Sequence, residues 1–314
     1  MRAKSTELLV IEYGGTARSG KGTIVNHFGE TRANVATDET GSDYRALTKS
    51  LLIDGLIERG MPTQTITKQL ARVSLNCLSD RVASRQSLVD SLGLSSLYDN
   101  DVNETVSVVS PIEAVRKAVK AGFKQRVEMV RDTGDHDVLV VDGRNLAPVI
   151  ESIEGTKLLM RTFVSCTPEE AARRECARQG INPNSPEAQA IAESIRSRNE
   201  NDANRATDPV RPDDDAIDYW LDPLLFADTV QDFADSHYDG NYDRAMTELL
   251  LNRRTSLHPV TRLGAGALAA TCGRQISFDT SHFRAYDKPK ETMILAADQM
   301  YEEALKAVRV TSRV

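Results

Sequence analysis

Residues 8–23 read LLVIEYGGTARSGKGT. Leu8–Tyr13 is a short apolar, β-rich run that stops at Gly14-Gly15, a strand delivered into a turn. Gly15 and Gly20, five positions apart, let the intervening backbone curl until its N–H groups face an anion at the start of a following helix. Lys21 is then placed to reach the β- and γ-phosphates of a nucleotide. The Thr23 hydroxyl can serve a phosphate or the shell of a magnesium ion. The strict pattern has Ser or Thr directly after the lysine; here Gly22 intervenes, with Ser19 two positions ahead of the lysine. The strand–loop–helix order favours a nucleotide-phosphate loop over a merely flexible glycine-rich turn.

Outward from the loop, a helical pattern runs from about Gly22 to Phe28, followed by a short strand at Asn34–Thr37. Asp43–Arg59 carries Leu47, Leu51, Ile53, Leu56 and Ile57 as a helical stripe ended by Gly60-Met61-Pro62. Thr63–Val109 mixes polar and β-branched residues without a clear period. A helix is predicted from Ser110-Pro111 through about Arg131, with strands at Asp137–Val141, Leu158–Val164 and Ala216–Leu221. Helices are predicted at Pro168–Gln179 and Pro186–Arg205. Strands alternating with helices predict an α/β fold, a five-stranded parallel sheet flanked by helices. The connection from Asp38 to Asp137 is too long for one crossover helix and implies an inserted subdomain, about 43–126. The main domain is expected to span 1–235, leaving 236–314 as a partly helical extension. There, Met293, Ile294, Met300, Tyr301, Leu305 and Val308 form one broad helical face, expected to cover the core or a second subunit.

Composition narrows the function classes. The 314 residues carry 39 Lys+Arg against 46 Asp+Glu, a formal net charge of −7, so no global basic field draws in nucleic acid. The longest apolar runs, such as Val138–Val141, fall far short of the ~20 residues a membrane helix needs, and Met1–Thr6 leads into no apolar stretch of leader length. Cys77, Cys166, Cys176 and Cys272 are scattered, with no C-x-x-C pair and no histidine at zinc-ligand spacing; reduced thiols in a cytoplasmic protein are expected.

Asp142 closes an apolar strand, where α/β sheets present side chains to a ligand. A carboxylate there can hold magnesium, and equally can turn the chain toward Gly143. Arg144 would project into the same crevice. A third feature is an arginine set: Arg173, Arg174, Arg178, Arg196, Arg198 and Arg205. Cations on a closing lid would surround a transferring phosphoryl group. Between Arg161 and Arg205, however, seven arginines face seven acids, as a salt-bridged solvated helix pair would. No N-K-x-D or D-x-x-G suits a GTPase, and no H-R-D or D-F-G suits a protein kinase.

From Leu8 to about Ala234 the chain resembles the bacterial cytidylate kinases, a branch of the nucleoside monophosphate kinases. The resemblance runs through GGTARSGKGT, ETGSDYRALT (Glu39–Thr48), LYDNDVNETVSVVSPIEAVRKAV (Leu97–Val119), VVDGRNLAPVI (Val140–Ile150), TPEEAARR (Thr167–Arg174) and RSRNENDANRATDP (Arg196–Pro209), in that order. It implies a P-loop parallel sheet, a monophosphate-binding insertion with its own small antiparallel sheet, and a short arginine lid, about 173–205. It also implies transfer of the ATP γ-phosphoryl group to CMP or dCMP with Mg2+. By the same resemblance, Gly15, Ser19, Gly20, Lys21, Gly22 and Thr23 bind ATP, while Thr40 and Arg45 contact the acceptor nucleotide. Ser107 and Arg116 fall where the family reads cytosine, Arg144 where it clamps the acceptor phosphate, and Asp202 and Arg205 near the acceptor's sugar and base. Arg174 and Arg198 match lid arginines that act with Lys21 on the transferred group, and Thr23 and Asp142 are the candidates for the metal.

Four positions depart from the pattern of the family it resembles. Arg18 replaces a loop glycine, Asn145 replaces the second Asp of D-G-R-D, and Glu39-Thr40 replaces Asp-Ser. Two other readings stay open: a P-loop small-molecule kinase in which Asp142 takes a hydroxyl proton, and a nucleotide-binding regulatory protein acting through its extension. Nucleotides are the expected partners, with the chain a monomer or a homo-oligomer joined through 236–314.

Overall fold

Four consecutive apolar residues, Val138–Val141, are all buried, as a strand covered on both faces must be. The computed structural model describes residues 7–143, 145–204, 209–218, 270, 273, 275–281 and 288–311. Its elements are β1 (Leu8–Gly15), α1 (Lys21–Thr31), β2 (Val35–Glu39), α2 (Thr40–Ile53), α3 (Thr63–Leu70), α4 (Leu75–Ala83), α5 (Arg85–Leu92) and α6 (Asn100–Val109). Then come α7 (Glu113–Thr133), β3 (Val138–Asp142), α8 (Ala147–Glu151), β4 (Thr156–Ser165), α9 (Pro168–Gln179), α10 (Pro186–Asn204), β5 (Ile217–Asp218), β6 (Gln275–Asp279) and α11 (Pro289–Thr311). The chain divides into two units, one of residues up to Val10 with Arg32–Lys157, the other of Ile11–Thr31 with residues from Leu158 onward. β1 contributes its first half to one and its second half to the other.

In the first unit the strand order is β2-β3-β1, with β2 and β3 parallel and Glu39 opposite Asp142 at their carboxyl ends. The Leu9 N–H donates to the Asp137 carbonyl at 3.1 Å, joining β1 to the start of β3. In the second unit the order is β1-β4-β6-β5, and both β4–β6 and β6–β5 run parallel. The five expected strands are all present, and the sheet gains a sixth, β6, from within 236–314. That segment, expected as an extension, supplies a strand lying between β4 and β5 and a helix, α11, that lies on α1. Phe28 of α1 stacks on Tyr301 of α11 with ring centroids 4.9 Å apart, and His27 Nε2 lies 3.0 Å from Asp298 Oδ2.

The small antiparallel sheet implied for the insertion is not there: every element between Thr40 and Thr133 is helical. Buried Ile66 and Leu70, Leu78 and Val82, and Val102, Thr105 and Val109 recur at steps of three and four, the spacing of a helix rather than a strand. Ser74 and Asp99 cap two of these helices, accepting from the N–H groups of Cys77 (3.2 Å) and Val102 (2.9 Å). α4 and α7 pack so closely that a Cβ on Gly122 would sit 2.6 Å from the Val82 side chain. Leu47, Leu51, Leu78, Val82, Val115 and Val119 belong to the core these helices share.

A buried square of charges ties α2, α5 and α7 to the end of β2. Arg85 donates to Asp38 and Asp43, each at 2.7 Å; Arg126 donates to Asp38 at 2.9 Å and to Asp43 at 2.6 Å. Burial works against the charge of Asp38, but the Arg126 and Arg85 guanidiniums outweigh it and hold its carboxyl below the ordinary value. Asp43→Ala would leave two buried guanidiniums facing one carboxylate, a loss of about 3–5 kcal/mol. Urea unfolding is expected to show it, and a loss under ~1 kcal/mol would mean that the square contributes no more than a surface pair.

Candidate active site

β1 ends at Gly15 with φ +131°, and a Cβ there would lie 1.9 Å from the Val164 carbonyl oxygen. Only glycine allows that approach, which lets the Thr16 N–H donate to the same oxygen at 3.0 Å. The chain then curls through residues 16–20 before α1 begins at Lys21. The Lys21 ammonium turns back onto the loop, donating to the Thr16 carbonyl at 2.7 Å and lying 3.4 Å from Ser19 Oγ. Ser19 Oγ itself donates to the Thr16 carbonyl at 3.0 Å. Gly20, at φ +101°, has Met293 of α11 behind it; a Cβ would come within 2.9 Å of that sulfur. Gly22 and Thr23 continue the first turn of α1.

Arg18 bends the loop at φ +57°, a left-handed conformation rare outside glycine. Its guanidinium is ion-paired with Glu175 of α9, which is buried and also accepts from Arg178 and Gln179. The N–H of Ala17 donates to Asn199 Oδ1 of α10 at 3.1 Å.

The expected lid arginines divide. Arg174 is held on three sides: Nε donates to Glu170 (2.9 Å), Nη2 to the Thr280 carbonyl (2.8 Å), and Nη1 to Thr280 Oγ1 (3.1 Å) and the Ser19 carbonyl (3.4 Å). Arg198 is exposed on α10, and Asp202 lies one turn further along the same helix. Arg173, Arg178 and Arg196 pair with Glu170, Glu175 and Glu169, the salt-bridged helix surface that the charge balance suggested. Arg144 and Arg205 lie outside the described residues.

In the other unit, Thr40 opens α2 and its hydroxyl donates to the Asp142 carbonyl at 3.2 Å. Arg45, one turn along, donates to Asn103 Oδ1 at 2.6 Å and to the Leu97 carbonyl at 3.3 Å. Its guanidinium lies over the Tyr98 ring, 4.6 Å from the centroid. Arg116 is buried on α7, whereas Ser107 is exposed on α6 and donates to the Glu104 carbonyl at 2.9 Å. Asn145 is exposed and left-handed (φ +54°), a conformation asparagine tolerates better than most residues. Partial desolvation and the facing Asp142 carboxylate lift Glu39 above the ordinary glutamate value. The Asp142 carboxylate, a hard oxygen donor at the carboxyl end of β3, suits Mg2+, which takes one or two carboxylates and fills its shell with phosphate oxygens and water. Among the described residues no group of three or more His, Cys, Asp and Glu is placed to hold a metal ion.

A family model described as cytidylate kinase matches residues 11–233. The chain belongs to the cytidylate kinase family. The cytidylate kinase of Oleidesulfovibrio alaskensis is 27% identical over 211 residues, 67% of this chain and 90% of the relative. That of Agrobacterium fabrum is 29% identical over 204 residues, 64% of this chain and 83% of the relative. Among solved structures, TT1252 from Thermus thermophilus aligns with 61% of this chain and 85% of its own, at 19% identity and a TM-score of 0.27. The chain is thus a nucleoside monophosphate kinase by family, built on an α/β sheet. No described helix is long and apolar enough to cross a membrane.

Sequence reasoning missed Thr280, Glu175, Asn199, Tyr98 and Asn103. Glu175 carried a legible signal, standing three residues before Arg178; Thr280 carried none, because its partners are backbone carbonyls 261 and 115 residues away.

Arg18 offers a clean separation of strain from pairing. Left-handed backbone costs a non-glycine residue about 1–2 kcal/mol, whereas the ion pair, with the Arg18 side chain 43% exposed, contributes at most about 1 kcal/mol. Arg18→Gly is expected to melt at or above the wild-type temperature, and Arg18→Ala, which keeps the strain and loses the pair, below it. An Arg18→Gly protein less stable than Arg18→Ala would contradict the left-handed backbone.

Proposed function

We propose that this chain transfers the γ-phosphoryl group of ATP to CMP or dCMP, giving the nucleoside diphosphate and ADP. The observation that supports it most directly is the loop after β1, with Lys21 Nζ folded onto the Thr16 carbonyl at 2.7 Å. Phosphate oxygens are better partners for an ammonium than a neutral carbonyl, so a nucleotide's β- and γ-phosphates draw Lys21 off Thr16. Ser19, Gly20, Gly22 and Thr23 then donate to the same phosphates. Thr23 and Asp142 are the residues that would hold Mg2+, which when bound spreads the charge of the bridging phosphates.

The acceptor is itself a phosphate, already anionic at neutral pH, so direct in-line transfer needs no general base. Arg198, exposed on its helix, is assigned to the transferring group. Arg174, fixed beside the loop, adds its charge from that position. Thr40 and Arg45 are assigned to the acceptor nucleotide; stacking on Tyr98 and the bond to Asn103 keep the planar fork of Arg45 oriented. Ser107 keeps lone pairs to accept from the amino group of cytosine, and Arg116 is assigned to the base with it. Arg144 is assigned to the acceptor phosphate, and Asp202, Arg205 and the neutral amide of Asn145 to the nucleoside.

ADP release from ATP with a panel of nucleoside monophosphates tests this reading, with CMP and dCMP expected to turn over fastest. No turnover with any of them would remove it, and a faster purine would remove the base assignment alone. Lys21→Ala is expected to lose about 3 kcal/mol of transition-state stabilisation, read as a fall of at least ~100-fold in kcat/KM.

A further inference from the structure

The carbonyl of Ser19 is pinned from behind. It accepts from Thr280 Oγ1 at 2.8 Å and faces Arg174 Nη1 at 3.4 Å. Thr280, fully buried at the end of β6, also has its hydroxyl 3.0 Å from the carbonyl of Ser165, the last residue of β4. Arg174 donates to both the hydroxyl and the carbonyl of Thr280, and Glu170 fixes Arg174 in turn. A trans peptide is planar, with its C=O and N–H pointing in opposite directions. Holding the Ser19 carbonyl toward Thr280 therefore aims the Gly20 N–H the other way, away from Thr280. Left alone, that plane has little to hold it, because Gly20 lacks a Cβ to restrict rotation.

We propose that Thr280 is a positioning residue of the phosphate loop, locking the Ser19–Gly20 peptide with its N–H inward so that it can donate to a nucleotide phosphate. This rests on the kinase reading above and deepens it, by making nucleotide affinity depend on one hydroxyl from beyond the family-matched residues. Thr280→Val removes the hydroxyl at nearly constant volume, and Thr280→Ser keeps it.

Titration of ADP and ATP into the full chain, followed by steady-state kinetics, tests the assignment. Thr280→Val is expected to raise the Kd for both nucleotides and the KM for ATP about 10- to 100-fold, the effect of losing one donor to a charged group. The KM for the acceptor monophosphate should stay within about 2-fold, and Thr280→Ser should bind ATP within about 3-fold of wild type. Wild-type affinity in Thr280→Val overturns the assignment, and so does a loss in Thr280→Ser equal to that in valine. Should the valine variant fail to fold, the Gly20 amide resonance of the wild-type protein decides. A downfield move on ADP addition supports an inward N–H, and no move overturns it. A wild-type chain that binds no nucleotide in the same titration overturns the kinase reading instead, so the two failures are told apart.

Discussion

An anion nest works only when several successive peptide planes are turned the same way, and backbone alone does not hold them there. In this protein the peptide planes of the loop after β1 are held both from within the loop and from the strands beside it. Val164 takes the Thr16 N–H where β1 ends, Lys21 and Ser19 share the Thr16 carbonyl, and Thr280 with Arg174 takes the Ser19 carbonyl. β4 and β6 are parallel neighbours, with Ser165 opposite Asp279 at their carboxyl ends, so the residue after each strand arrives at the same place. That register carries Thr280 to within hydrogen-bond distance of both the loop and β4. The sheet thus does more than support the loop after β1; its edge-to-edge order determines which carbonyls are held.

Much of this was legible beforehand, for identifiable reasons. The four-residue apolar run ahead of Asp142 and the β-rich run ahead of Gly14-Gly15 each have a strong pattern and a strong stop. β6 has neither advantage: only Ile276 and Phe278 alternate within five residues, too little to stand above chance. The helices between Thr63 and Val109 are eight to ten residues long, so each shows only two or three apolar turns and no stripe accumulates. Their caps at Ser74 and Asp99 were the better signal. No sequence rule could have placed Arg18 in a left-handed bend, because that conformation is disfavoured for arginine and persists only under the surrounding constraints.

The arginine set shows why composition alone misleads. A lid and a salt-bridged surface use the same residues, and the difference lies in where the acids stand. Glu170 precedes Arg173 by three positions and Arg174 by four, Glu175 precedes Arg178 by three, and Glu193 precedes Arg196 by three. Each is a same-face neighbour on its helix, so those guanidiniums find a partner without leaving the helix surface. Arg174 alone of these four goes on to reach the loop, because β6 brings Thr280 beside it.

The charged square in the other unit follows the same logic with a different object. Buried ion pairs add little net stability when their desolvation is counted, and an apolar replacement of equal volume often does as well. What the square adds here is direction. Asp43 lies in the first turn of α2, three residues after Thr40 and two before Arg45, and is fixed by guanidiniums from two other helices. Rotating α2 about its axis would break both pairs together, so the faces carrying Thr40 and Arg45 are set by Arg85 and Arg126. An apolar Asp43 could pack α2 in several rotations; a carboxylate with two donors permits one. Arg85 and Arg126, reaching Asp43 from two other helices, can therefore fix the rotation of α2 without belonging to its own surface.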